Sequence, residues 1–129
     1  MKLLLEDIYG KLSAIIPNTY FSQLPENIDS AQNFCVYEAN ISESKNTLSE
    51  IDFENGVDVT VKILSKDIAF LFSSADLITS SILQSTANYY SAIVNNTVPV
   101  FYDANLELSQ YTIVFNVNKK GSNHKIHQV

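Results

Sequence analysis

The sequence predicts a small α+β domain, with one four- or five-stranded, mostly antiparallel sheet packed by two helices. Three observations predict it. "VDVTVKI" (57–63) alternates apolar and polar residues with period two, residues 68–82 place apolar side chains at helical spacing, and residues 111–117 return to alternation. The 129 residues suit one domain whose core buries roughly two-thirds of the unfolded chain's surface. We take residues 1–118 as that domain and 119–129, "KKGSNHKIHQV", as a polar tail.

The first helix is expected over 2–16, with Leu5, Ile8, Leu12, Ile15 and Ile16 on one stripe and Glu6, Lys11 and Ser13 facing away; Pro17 ends it. In "PNTYFSQLPEN" two prolines make the backbone extended or turning, with Tyr20, Phe21 and Leu24 pinning it to the core. "NFCVYEANI" (33–41) reads as a central strand, with Phe34, Val36 and Glu38 on one face and Cys35, Tyr37 and Ala39 on the other. "SESKNTLSE" buries little and reads as a loop that orders against a partner.

For "IDFENGVDVTVKI", register favours a three-residue hairpin loop with Gly56 left-handed, pairing Phe53 with Val57 and Ile51 with Val59. Val57, Val59, Val61 and Ile63 then face the core. Ser65 or Asp67 caps a helix over 67–85 whose stripe holds Ile68, Leu71, Phe72, Ala75, Ile78 and Ile82, with Ser73, Ser74, Ser80 and Ser81 opposite. The remaining strands lie in "YYSAIVNNTVPVFYDANLELSQYTIVFNVNK". Asn95-Asn96 and Asp103-Ala104-Asn105 are turn signals, and Pro99 makes its strand an edge or a bulged one. Val59, Val61, Ile63, Leu71, Ile78 and Phe115 are the expected core.

Composition narrows the function classes. Fourteen acids against eight lysines give a net charge of -6, which disfavours nucleic acid as a main partner. The single cysteine, Cys35, excludes a disulfide scaffold and reads as a buried, inert thiol. Glu6 and Asp7 interrupt "MKLLLEDIYGKLSAII" before any signal-peptide core length is reached, so an intracellular amphipathic helix is expected. No apolar run approaches the about 20 residues that cross a bilayer, and a soluble chain without a membrane partner is expected.

No residue set points to catalysis. His124 and His127 lie three apart in the tail with no acid or cysteine beside them, and Cys35 has no histidine near it in sequence. Glu43, Glu50, Asp52 and Glu54 fit no EF-hand spacing and read as solvated surface. Three glycines, Gly10, Gly56 and Gly121, cannot build a phosphate cradle. The sequons at Asn40 and Asn95 carry no meaning in an intracellular chain. We expect no enzyme activity, cofactor or metal. A small-molecule-binding domain, with Tyr89, Tyr90, Phe101 and Tyr102 lining a pocket, is the alternative from another class.

The order of elements, carried by "IIPNTYFSQLPEN" ahead of "NFCVYEANI", by "GVDVTVKILSKDIAFLFSSADLITSSIL" and by "FYDANLELSQYTIVFNV", resembles the tail completion or tail terminator proteins of tailed bacteriophages over most of residues 1–118. The resemblance implies a structural protein of virion assembly, located in the virion and in the host cytoplasm during assembly. It implies a homo-oligomeric ring, usually a hexamer, that caps the tail tube and joins it to the head. Its partners would be further copies of itself, the tail tube and the head-tail connector. An assembly adaptor or chaperone would share the fold without a closed ring. The loop over 42–55, with Ser42, Glu43, Lys45, Glu50, Asp52 and Glu54, is the expected contact with the neighbouring component. An acidic lumen would keep passing DNA from adhering.

Overall fold

The structure, a computed structural model, describes residues 2–41, 56–84 and 90–119. Seven elements follow in chain order: α1 (Lys2–Ile15), β1 (Thr19–Phe21), β2 (Phe34–Ile41), β3 (Val57–Ser65), α2 (Ile68–Leu83), β4 (Tyr90–Asp103) and β5 (Leu108–Lys119). The strands form one sheet in the order β1-β2-β3-β5-β4. β1 runs parallel to β2, and the other three pairings are antiparallel. This is the α+β architecture expected from the sequence.

Both helices cover one face of the sheet, because only that face is apolar along its length. Cys35 and Tyr37 of β2, the four alternating residues Val57 to Ile63 of β3, and Ile113, Phe115 and Val117 of β5 form its floor. Leu4, Ile8, Leu12 and Ile16 pack onto it from α1, and Leu71, Ala75, Ile78 and Ile82 from α2. Each fully buried aliphatic side chain contributes about 1.5–3 kcal/mol, so this layer is the main favourable term in folding. All six expected core residues are buried.

On the opposite face a small apolar cluster at one end, Phe34, Val36, Leu64 and Leu108, is covered by Tyr20, Leu24, Ile28 and Leu106. Polar side chains line the middle of that face, and Ile93, Val98 and Phe101 of β4 stand exposed along its edge. Asn116 Nδ2 donates to Asp58 Oδ1 at 3.1 Å, and Asn118 Nδ2 to Asn116 Oδ1 at 3.1 Å.

Several expectations are corrected. The Pro-flanked stretch contains the short strand β1, and Phe21 remains half exposed instead of pinning the core. The expected Ile8, Leu12 and Ile16 are buried, but spacing of four extends their row to Leu4 instead of Leu5, and Leu5 and Ile15 are only partly buried on its flanks. On α2, Ile68 (46% exposed) and Phe72 (48%) lie outside the core, while Ser74 is buried and donates its hydroxyl to Phe70 O.

Ile51 and Phe53, expected to pair with β3, lie outside the described residues. Val57 and Val59 pair with Ile41 and Ala39 on one side and with Val117 and Phe115 on the other, so both edges of β3 are occupied. Gly56 does have the expected positive φ, 100°. Asn95-Asn96 is no turn but the site of a bulge inside β4, with the register shifting between Val94 and Asn96. A second shift between Val98 and Phe101 brackets Pro99, which lacks the N–H a regular ladder would use.

Asp67 is the helix cap. Its carboxylate accepts from Ala69 N at 3.0 Å and Phe70 N at 3.3 Å. At the other expected turn, Asp103 Oδ1 accepts from Asn105 N at 2.9 Å and Leu106 N at 3.2 Å, an Asx-type closure of the β4–β5 hairpin.

Candidate functional site

β4 is the edge of the sheet, and it exposes Ile93, Val94, Val98, Phe101 and Tyr102. Edge strands are ordinarily blunted by charge, since their outer backbone groups are a template for another strand. Here residues 77–102 contain no charged side chain, so Pro99 and the two bulges are the only such devices within the strand up to Asp103. Alternation sorts the row into two sets. Tyr102 pairs with Ser109, on the same face as Tyr111 and Ile113, and so points to the helix side; Phe101 pairs with Gln110 and points to the opposite side.

The neighbouring flank of α2 continues the apolar surface. Phe72 packs on Tyr111 of β5, ring centroids 5.5 Å apart, whereas Phe70, two residues earlier, borders a hollow with Ile15 and Ile16 of α1. Ile68, Phe72 and Leu83 thus lie on the flank turned away from α1 and toward the β4 edge, and all three are exposed.

A second apolar surface lies at the opposite edge of the sheet, also on the helix side. Leu5, Glu6, Tyr9 and Tyr37 line an open hollow of about 270 Å³. Its aromatic wall is a short stack: Tyr37 lies 6.3 Å from Tyr9 and meets Phe21 edge to face at 5.2 Å. Burial, together with the nearby Tyr9 and Cys35, pushes the Tyr37 phenol above its usual range, so it stays a neutral hydroxyl.

Cys35 is fully buried behind this wall. Burial raises its thiol to about 12, only partly offset by a hydrogen bond with Thr19, so the thiolate that reactive cysteines need is not populated.

The structure brings together few of the sequence-derived candidates. Ser42, Glu43, Lys45, Glu50, Asp52 and Glu54 lie outside the described residues, as do Tyr89, His124 and His127. Phe101 and Tyr102 are both exposed and point to opposite sides of β4, so they do not wall a shared pocket. Among the described residues, no three of His, Cys, Asp and Glu are placed to hold a metal ion, and no helix is long and apolar enough to cross a membrane. The residues that sequence reasoning missed are Tyr9 and Tyr37. Tyr102 was expected as a pocket wall and instead stands exposed on the β4 edge; the uncharged run 77–102 was the available signal for that.

Fold and surface together define a single-sheet α+β domain with an apolar patch at each edge and no reactive centre among the described residues. No protein-family model matches the chain. No curated protein matches it either. Among solved structures it is similar to a chain of the "Virion of native gene transfer agent (GTA) particle", at 8% identity and a TM-score of 0.59, covering 87% of this chain and 90% of that one. At that identity the likeness shows a shared fold, extending over nearly the whole of both chains.

Proposed function

We propose that this chain is a structural protein of a phage-like particle, without catalytic activity, metal or cofactor. It acts as a homo-oligomeric ring, a hexamer, that completes the tail tube and joins it to the head. It resides in the virion, and in the host cytoplasm while particles assemble. The observation that carries this reading is the fold shared with a chain of a virion over nearly its full length.

Two physical features support it. An uncharged, apolar edge strand is costly for a free monomer to expose and natural for a subunit that is covered on assembly. The net charge of -6, with Glu38 and Asp58 on the strands of the open polar face, suits a channel wall from which DNA must slide. The segment over 42–55 would supply contacts to the tail tube or the connector.

The experiment is to purify particles from cells producing an affinity-tagged chain and to count its copies per particle by quantitative mass spectrometry. A ring gives a small fixed multiple, six, in every tailed particle. Absence from purified particles ends the virion reading.

A further inference from the structure

We infer that copies of this chain join head to tail, with the β4 edge of one copy, led by Tyr102, seated on the hollow formed by Leu5, Glu6, Tyr9 and Tyr37 of the next. The contact rests on the ring reading above and names its surfaces.

The two patches are different in kind. One is the pair Val94 and Tyr102 on the helix side of the edge strand, with Tyr102 62% exposed; the other is an open hollow toward the far edge of the same sheet, also on the helix side. Ile93, Val98 and Phe101 point to the other face and take no part. A patch that matched itself would make a two-fold dimer and stop. Two unlike patches on opposite edges make a heterologous contact, which repeats until a ring closes or a filament grows.

The lining of the hollow suits one kind of occupant. At about 270 Å³ and open to one side, it has room for one large side chain. Its walls are Leu5 and the rings of Tyr9 and Tyr37, which match an aromatic ring, and its one charged group is the exposed Glu6. A tyrosine satisfies both halves, since its ring fills the recess while its hydroxyl donates to the carboxylate.

Charge permits the approach. A chain of net charge -6 repels its own copies, but residues 77–102 carry no carboxylate, and Asp103, next to Tyr102, points to the opposite face and accepts from Asn105 N and Leu106 N instead of meeting Glu6. The helix-side residues Val94, Tyr102 and Phe72 present on the order of 300 Å² of the about 800 Å² per partner that a stable interface buries, so they form its centre and the flanking surface supplies the rest.

The test is sedimentation across concentration of the full chain and of Tyr102→Glu, Tyr9→Glu and the double variant Tyr102→Glu/Glu6→Lys. All three altered positions are exposed, and matching thermal unfolding verifies that each variant is folded. The wild type gains mass with concentration, and each single variant associates at least ~10-fold more weakly. An equimolar mixture of the two single variants forms a pair and goes no further, since one intact recess and one intact edge remain between them. The double variant regains association through a Lys-Glu pair.

Three results would overturn the contact: Tyr102→Glu assembling like the wild type, Tyr9→Glu assembling while Tyr102→Glu does not, which indicates an edge-to-edge dimer, or a wild type that stays monomeric throughout. None of these bears on whether the chain is found in particles. Conversely, a chain that assembles in this way but is missing from particles keeps the contact and loses the virion reading.

Discussion

Ser65 Oγ donates to Asn33 Oδ1 at 2.6 Å and accepts from Asp67 N at 2.9 Å, so one buried hydroxyl joins the end of β3 to the entry of β2 and the cap of α2. Ser65→Ala removes both bonds and leaves the Asn33 carbonyl with one donor fewer. The expected cost is about 1–3 kcal/mol in urea unfolding. A double-mutant cycle with Asn33→Ala should return a coupling of about 0.5 kcal/mol or more; strict additivity would show that the bond carries nothing.

Val61 is fully buried between Tyr37 and Ile113 on the helix-covered face. Val61→Asp places a carboxylate there with no cation beside it, at a cost of several kcal/mol. Loss of cooperative unfolding at room temperature is the expected outcome. Val61→Ile should leave the fold intact, because overpacking by one methylene costs only about 1–3 kcal/mol.

Cys35 makes stability depend on alkaline pH. Its folded value of about 12 lies above the ordinary value of 9.0, so between them the unfolded chain has released a proton that the folded chain retains. Stability from this group is complete below pH 9 and declines as pH rises toward 12, by up to about 1.4 kcal/mol per pH unit. Cys35→Ala should show a shallower decline over that window in paired urea titrations. Identical slopes would mean that the thiol ionises as freely in the folded state as in the unfolded one.

Glu107 closes the β4–β5 hairpin at φ 61°, with its N–H donating to Asp103 O at 2.7 Å. A side chain in that region is disfavoured by roughly 1–2 kcal/mol, and glycine is not. Glu107→Gly should therefore be neutral or raise the melting temperature, despite the added freedom of the unfolded chain. A clear drop would point to a contact made by the carboxylate.

The strands were legible because alternation in 57–63 and 111–117 is strict, and α2 because Leu71, Ala75, Ile78 and Ile82 keep one stripe. The phase of α1 was harder to read, since "KLLLE" offers three adjacent leucines and propensity does not choose among them. Ile68 and Phe72 fit the helical stripe equally well on paper. They are exposed because the sheet ends at β4 and nothing lies beyond their flank, and that is a property of strand order.

One half of the candidate site was legible: Pro99 marked its strand as an edge or a bulged one, and β4 is both. The other half was not, since the meeting of Tyr9 and Tyr37 across α1 and β2 joins residues far apart in sequence. The pairing of β2 with β3 skips the whole of 42–55, and no local signal announced it.

If this chain completes a particle tail as proposed, electron microscopy of particles assembled without it will show tails of irregular length, unjoined to heads, with normal joining restored when the chain is supplied in trans. Tails of normal length joined normally to heads in its absence would rule that role out.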